Sequence, residues 1–260
     1  METDPIYQSI MESGDNCPDE PVSVASEDVL RPHHDQHPHI SGLCLHSHVI
    51  SQADQAKLMA QITEKNIFKA GKQNQAMCFG ERDLAWLLWL EKRMWDSDVL
   101  SEPYCGATWT DRTPLFDQSI MNLYYPGDGI KPHVDLARFE DGIVIISLLS
   151  AINMDFYPAM HPVLAEDPLE DANATLVSGH SQEIDRRPSF TIRLEPGSVI
   201  TMQGPARYEW EHGIQEIAQD LVGDEWVRRK IRVSITLRKM RMDAWDVGPK
   251  VFDNGVADRR

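Results

Sequence analysis

Long apolar runs are missing from this chain of 260 residues. No stretch of about 18 apolar residues occurs, so no membrane-spanning helix is expected. The N-terminal METDPIYQSIMESGDN is acidic and lacks a short apolar region, so no secretory signal is expected either. Cysteine is scarce. Cys17, Cys44, Cys78 and Cys105 are widely spaced, with no CxxC pair. That argues against a disulfide framework and against a cysteine zinc site, and it leaves a reducing compartment, cytoplasmic or nuclear, as the expectation. A monomer is expected. Positive charge is the third shortage: 25 Lys+Arg stand against 41 Asp+Glu, a net of -16. A non-specific grip on nucleic acid needs a basic surface. The bulk charge excludes that mode and leaves room only for a locally basic cleft.

What is present is globular. Hydrophobic residues make up 42% and aromatics 8%, enough to bury a sizeable core in one large domain with tails. The acidity is uneven: residues 1–39 hold nine acids and one arginine, a net of -8, with several prolines and little apolar periodicity. We read them as a disordered tail. Within it, RPHHDQHPH gathers His33, His34, His37 and His39. A polar linker is the plainer reading of this tract, and a metal-binding stretch is the alternative. Residues 243–260 read as a C-terminal extension.

Between the tails, two helices come first. Ser51 is placed to cap QADQAKLMAQIT, and RDLAWLLWLEKRMW carries apolar residues at helical spacing. From Ile120 onward the texture becomes short β segments: IMNLYY, IVIISLLS, INMDFY, FTIRL, SVITM and IRVSITLR, punctuated by turns such as PGDG and EPGS. An acidic insertion at 158–189 interrupts them. The pattern predicts a mainly β domain with flanking helices, an antiparallel sandwich or jelly roll. The domain is placed at 40–242, with a helical and lid region over 40–118 and the β core over 119–242.

One segment carries chemistry: NLYYPGDGIKPHVD, residues 122–135. On an extended strand, side chains two apart share a face, so His133 and Asp135 can take adjacent positions on one metal. His212 in RYEWEHGI is the best third ligand. Two histidines and a carboxylate on one face leave open positions, as in non-haem Fe(II) oxygenases. Taken alone, H-x-D is a weak signal. The last strand adds to it, because RVSITLR places Arg232, Ser234, Thr236 and Arg238 on one face and Val233, Ile235 and Leu237 on the other. Either this is an edge strand with arginines in water, or both faces are covered. In the second case the arginines need an anionic partner, and a dicarboxylate such as 2-oxoglutarate supplies one. Asn122 and Tyr124, also two apart, are placed to hydrogen-bond the same acid.

These motifs, N-x-Y…PGxGIxxHxD, then HGI, then R-x-S-x-T-x-R, resemble those of the AlkB-type Fe(II)/2-oxoglutarate dioxygenases over roughly residues 40–242, in a texture similar to homologues eight and six. The resemblance implies a double-stranded β-helix (jelly roll) and a requirement for Fe(II), 2-oxoglutarate and O2. It implies His133, Asp135 and His212 as iron ligands and Arg232 as the clamp on the far carboxylate of 2-oxoglutarate. Asn122, Tyr124, Ser234 and Arg238 would complete the co-substrate site. The substrate it implies is an alkylated base in nucleic acid, RNA or tRNA before DNA, that is demethylated or hydroxylated. The same chemistry on a protein side chain or small molecule, or a non-catalytic jelly-roll binding module, are the alternatives. Phe79, Tyr104 and Trp109 lie where the family builds its substrate lid. Trp210 is as well suited to core packing as to stacking on a base. Lys131 and Arg138 read as solvated charges, Asp128 and Asp141 as turn residues, and His161 and His180 as non-ligands.

Overall fold

A computed structural model describes residues 31–68, 74–101, 115–160 and 188–242. The expected lid residues Tyr104 and Trp109, the histidines His161 and His180, most of the 158–189 insertion and the 243–260 extension lie outside the described residues. Among the described residues, no helix is long and apolar enough to cross a membrane.

Thirteen strands are present among the described residues: β1 (His33–Gln36), β2 (Leu43–Ser47), β3 (Gln75–Phe79), β4 (Gln118–Tyr124), β5 (Ile130–His133), β6 (Phe139–Leu148), β7 (Ile152–Pro158), β8 (Phe190–Leu194), β9 (Val199–Met202), β10 (Trp210–Ile214), β11 (Gln219–Val222), β12 (Glu225–Arg228) and β13 (Arg232–Met240). A seven-stranded sheet runs β1-β2-β9-β6-β13-β4-β3, and a four-stranded sheet runs β5-β10-β7-β8. All their pairings are antiparallel. The two sheets enclose an apolar layer drawn from both, including Tyr124, Ile143, Ile145 and Met202 of one and Met154, Phe156, Leu194 and Ile214 of the other. This is a jelly roll, as expected. β11 and β12 form a separate hairpin.

The outer face of the large sheet is covered by helices. α1 (Gln52–Glu64) starts at Ser51, whose hydroxyl accepts the Asp54 N–H at 3.1 Å, and buries Leu58 and Ile62. The second helix differs from a single span. It comprises α2 (Gly80–Leu84), a 3₁₀ turn (Ala85–Leu87) and α3 (Leu88–Asp96). The tighter turn shifts the apolar stripe, so Leu84, Leu87, Leu90 and Met94 are buried while Leu88 and Trp95 face outward. These helices pack on Met121, Leu123, Val144, Ile146, Val233, Ile235 and Leu237. Burial on both faces explains why β13 is buried at all nine residues.

The tail differs from its expectation. His33–Gln36 is a strand paired with β2 from His33↔Ser47 to Gln36↔Cys44. His34 Nδ1 lies 2.7 Å from His46 Nδ1, and His37 and His39 pack on Phe190. Backbone pairing to an open sheet edge needs no apolar alternation, so the polar tract carried no sign of it. The domain therefore begins before residue 40.

Candidate active site

The site forms where the small sheet meets the loop after β5. His133 ends β5 and sits directly opposite His212 on β10. Two glycines permit that approach. A Cβ on Gly129 would lie 2.3 Å from the Ile214 carbonyl oxygen, and one on Gly213 would lie 2.9 Å from Pro132 N. The glycines of PGDGI and HGI are thus the contact points of the two strands that present the histidines. Asp135 follows two residues after His133, and His133, Asp135 and His212 each offer a ligand atom within 4.8 Å of the others.

Each group is prepared differently. His133 Nδ1 lies 2.9 Å from the Lys131 carbonyl. A carbonyl only accepts, so Nδ1 carries the proton and Nε2 keeps its lone pair. Burial pushes the His212 imidazole down, to a pKa of about 3, and His133 adds to the effect. His212 is therefore neutral, and the 3.7 Å between its Nε2 and Asp135 Oδ2 is the spacing of two donor groups, not an ion pair. For Asp135, burial pushes upward, but Arg238, then His212 and Arg207, outweigh it and hold the carboxyl at about 2. Arg238 pairs with Oδ1 of Asp135, while Oδ2 is buried without a hydrogen-bond partner.

Arg207 holds the loop that carries Asp135. It is buried and donates from Nη1 to the Asp135 carbonyl at 2.9 Å and from Nη2 to the Leu136 carbonyl at 2.8 Å. Sequence reasoning missed this residue, because its partners lie about seventy positions upstream in a loop of no regular pattern. Of the other residues weighed earlier, Asp128 accepts the Tyr125 N–H at 2.8 Å and Asp141 accepts the Gly142 and Gly204 N–H groups, both as turn residues.

The inner face of β13 supplies the rest. Its register pairs Arg232 with Tyr124 and Ser234 with Asn122, bringing four of the expected co-substrate residues together, and it pairs Arg238 with Gln118. Arg232 is 1% exposed. Its Nε donates to Ser147 Oγ at 3.0 Å, its Cζ lies 5.2 Å from the Tyr124 ring centroid, and its Nη1 and Nη2 make no well-formed hydrogen bond, the Tyr124 side chain being the group that interacts with the guanidinium. Burial lowers its pKa and raises that of Tyr124. Asn122 accepts from Gln75 Nε2 at 2.8 Å. Ser147 also went unread in the sequence; it sits opposite Ser234 on β6. The arrangement presents a donor set for one metal and, across the barrel, a guanidinium fork with both ends open to a carboxylate. A surface cavity of about 360 Å³ lies elsewhere, lined by Ile217, Ala218, Gln219 and Trp226, and holds no titratable group.

Residues 42–238 match the 2OG-Fe(II) oxygenase superfamily. The chain belongs to that family. A relative in Arabidopsis thaliana, named Alkylated DNA repair protein ALKBH8 homolog, is 29% identical over 217 residues, covering 78% of this chain and 59% of that one. The tRNA (carboxymethyluridine(34)-5-O)-methyltransferase ALKBH8 of Macaca fascicularis is 34% identical over 142 residues, covering 48% of this chain and 18% of that one. The chain thus spans about three fifths of the plant relative and under a fifth of the macaque one. A solved structure titled "The structure of OsALKBH1" aligns at a TM-score of 0.45 and 13% identity, covering 78% of this chain and 99% of that one.

Proposed function

We propose that this AlkB-type dioxygenase oxidises an alkylated base in nucleic acid, RNA or tRNA before DNA, by demethylation or hydroxylation. The observation that carries the reading is the set of buried, unpartnered polar atoms on the inner face: Asp135 Oδ2, Arg232 Nη1 and Nη2, and Arg238 Nε. Groups of this kind are costly unless they meet a ligand. Their chemistry, a hard anionic oxygen beside two imidazoles and a cationic fork further in, fits Fe(II) and 2-oxoglutarate.

In this reading His133, Asp135 and His212 would hold the metal. Arg238 engages Oδ1 of Asp135 and keeps the carboxyl ionised, leaving Oδ2 as the oxygen that would serve the ion. Arg232, steadied by Ser147, clamps the far carboxylate of the co-substrate, and Tyr124, Asn122 and Ser234 line the same pocket. When bound, Fe(II) with 2-oxoglutarate and O2 supplies oxidation of a substrate C–H bond, with succinate and carbon dioxide as co-products. Apolar walls built from Ile143, Ile145 and Phe156 limit water around these charges and strengthen each contact. Support for a nucleic-acid substrate comes from the names of the plant and macaque relatives.

The test is succinate release by the purified protein across methylated RNA, tRNA, methylated DNA and peptide pools. Stimulation by RNA or tRNA is expected. Stimulation by peptides alone would move the substrate to a protein side chain.

A further inference from the structure

One unpartnered polar group inside the barrel has no role in the metal or co-substrate site. Gln118 opens β4 at 0% exposure, and neither its Oε1 nor its Nε2 has a hydrogen-bond partner. A primary amide hidden from water with both ends unpaired is destabilising. Among the described residues, buried atoms without partners also occur on Ser119, Arg207 and Arg229 and on Asp135, Arg232 and Arg238, the last three being the groups proposed to face metal and co-substrate.

Its neighbours fix where it stands. Asp117, the preceding residue, donates its N–H to the Arg238 carbonyl at 3.1 Å and accepts the Gly80 N–H at 2.8 Å. Its carboxylate accepts the Met240 N–H at 2.6 Å. The start of β4 is thereby pinned on both sides. Gln118 lies opposite Arg238 on β13 and opposite Phe79 on β3. Directly opposed residues share a face of the sheet, so Arg238, Gln118 and Phe79 form one row leading away from Asp135. Met77, two residues before Phe79, lies on the same face. Phe79 is 40% and Met77 54% exposed, an apolar shelf at the edge strand beside the buried amide.

The chemistry of the row selects the ligand. A carboxylate would take the Nε2 donors and leave Oε1 facing negative charge. An alkyl chain would satisfy neither atom. A planar heterocycle with an N–H beside an acceptor pairs with both at once, as nucleobase edges do with Gln and Asn. Its flat face would lie against Phe79 and Met77. We propose that Gln118 reads the hydrogen-bonding edge of the substrate base while Phe79 and Met77 support its ring, next to the His133–Asp135–His212 cluster. The proposal rests on the nucleic-acid reading of the function.

The experiment compares the full-length, iron-loaded protein with Gln118→Met and Phe79→Ala. The probes are an N-methylated oligoribonucleotide, total tRNA and, as a control, a peptide pool, with succinate release as the readout. Gln118→Met keeps the side-chain shape and removes both hydrogen bonds. It should raise the KM for the nucleic acid about 10- to 100-fold, with less than about a twofold change in the KM for 2-oxoglutarate. Thermal stability should hold or rise, because an unpaired buried amide has been replaced by an apolar group. Phe79→Ala should give a smaller rise in the same KM.

An unchanged KM for nucleic acid in Gln118→Met would overturn this proposal alone. So would a raised KM for 2-oxoglutarate, which would assign the amide to the co-substrate. A lowered melting temperature with an unmoved KM would make Gln118 a structural partner of Arg238, also against the proposal. A wild-type protein that responds to no nucleic acid would remove the functional reading and this inference together.

Discussion

Strand β13 has two faces that are equally hidden from water and opposite in chemistry. Val233, Ile235 and Leu237 meet the helices, and their burial contributes to stability. Arg232, Ser234, Thr236 and Arg238 line the barrel, where the arginines retain unpartnered nitrogens. Buried carboxylates elsewhere in the fold are paired: Asp220 receives Arg229 Nη2 at 2.8 Å, and Asp155 receives Thr191 Oγ1 at 2.6 Å. The difference separates stability from function within one strand. Substitutions on the outer face should cost folding, and those on the inner face should cost activity.

The largest effect is expected at the proposed metal ligands. His212→Ala should abolish turnover while the circular dichroism spectrum and melting temperature stay near wild type, since a neutral imidazole leaves no charge behind. Asp135→Ala should also abolish turnover but lower stability, by about 3–5 kcal/mol, because the buried Arg238 loses its partner. A His212→Ala variant with near-normal succinate release would show that the third ligand lies elsewhere.

Arg232→Met breaks the comparison in the other direction. Losing a buried charge-assisted contact with a carboxylate costs on the order of 3 kcal/mol, about two orders of magnitude in the requirement for 2-oxoglutarate. Folding should not suffer equally, because two unpaired nitrogens leave with the side chain. Denaturation without co-substrate and a 2-oxoglutarate titration separate the two quantities. Unchanged 2-oxoglutarate dependence would make Arg232 a structural charge.

Ile235→Ala is the outer-face counterpart. Cavity formation at a fully buried isoleucine costs about 2–5 kcal/mol, and each kcal/mol lowers the melting temperature by about 2–4 °C in a domain of this size. The KM for 2-oxoglutarate of the folded fraction should not move. A shift comparable to that of Arg232→Met would mean that the two faces are coupled through the backbone.

The same strand shows what the sequence could reveal. Alternation over 232–238 identified the two faces, but it could not say whether the polar one met water or a cavity. That was decided by β4 and β6 pairing on either side of β13. His133, Asp135 and His212 were readable because motif glycines and strand spacing are local. Arg207, Ser147 and Gln118 were not, since their roles arise from register between distant strands. β1 left no trace, because among the described residues it is held by backbone pairing to β2 and by the His34–His46 contact, neither of which shows as apolar alternation. The β11–β12 hairpin was within reach, as Gly223-Asp224 between short β-rich runs is a turn signal.

His46 sharpens the comparison with the smallest effect. It is a polar residue of the outer layer, 0% exposed, but partnered at both nitrogens: Nε2 lies 2.9 Å from Thr201 Oγ1 and Nδ1 2.7 Å from His34 Nδ1. Burial, with a smaller contribution from His34, pushes its pKa down to about 3. The unfolded chain, with an ordinary histidine value near 6.5, binds the proton first. Its contribution is therefore fully present above that pH and is lost as pH falls toward the folded value, at up to about 1.4 kcal/mol per pH unit. Between pH 7 and pH 5 the wild type should lose about 2 kcal/mol more than His46→Gln, measured by chemical denaturation of both. Acid-sensitive groups that do not touch His46, His212 included, cancel in that difference. Parallel pH profiles for the two proteins would show that His46 accepts a proton freely in the fold and that the outer layer is less closed than its burial implies.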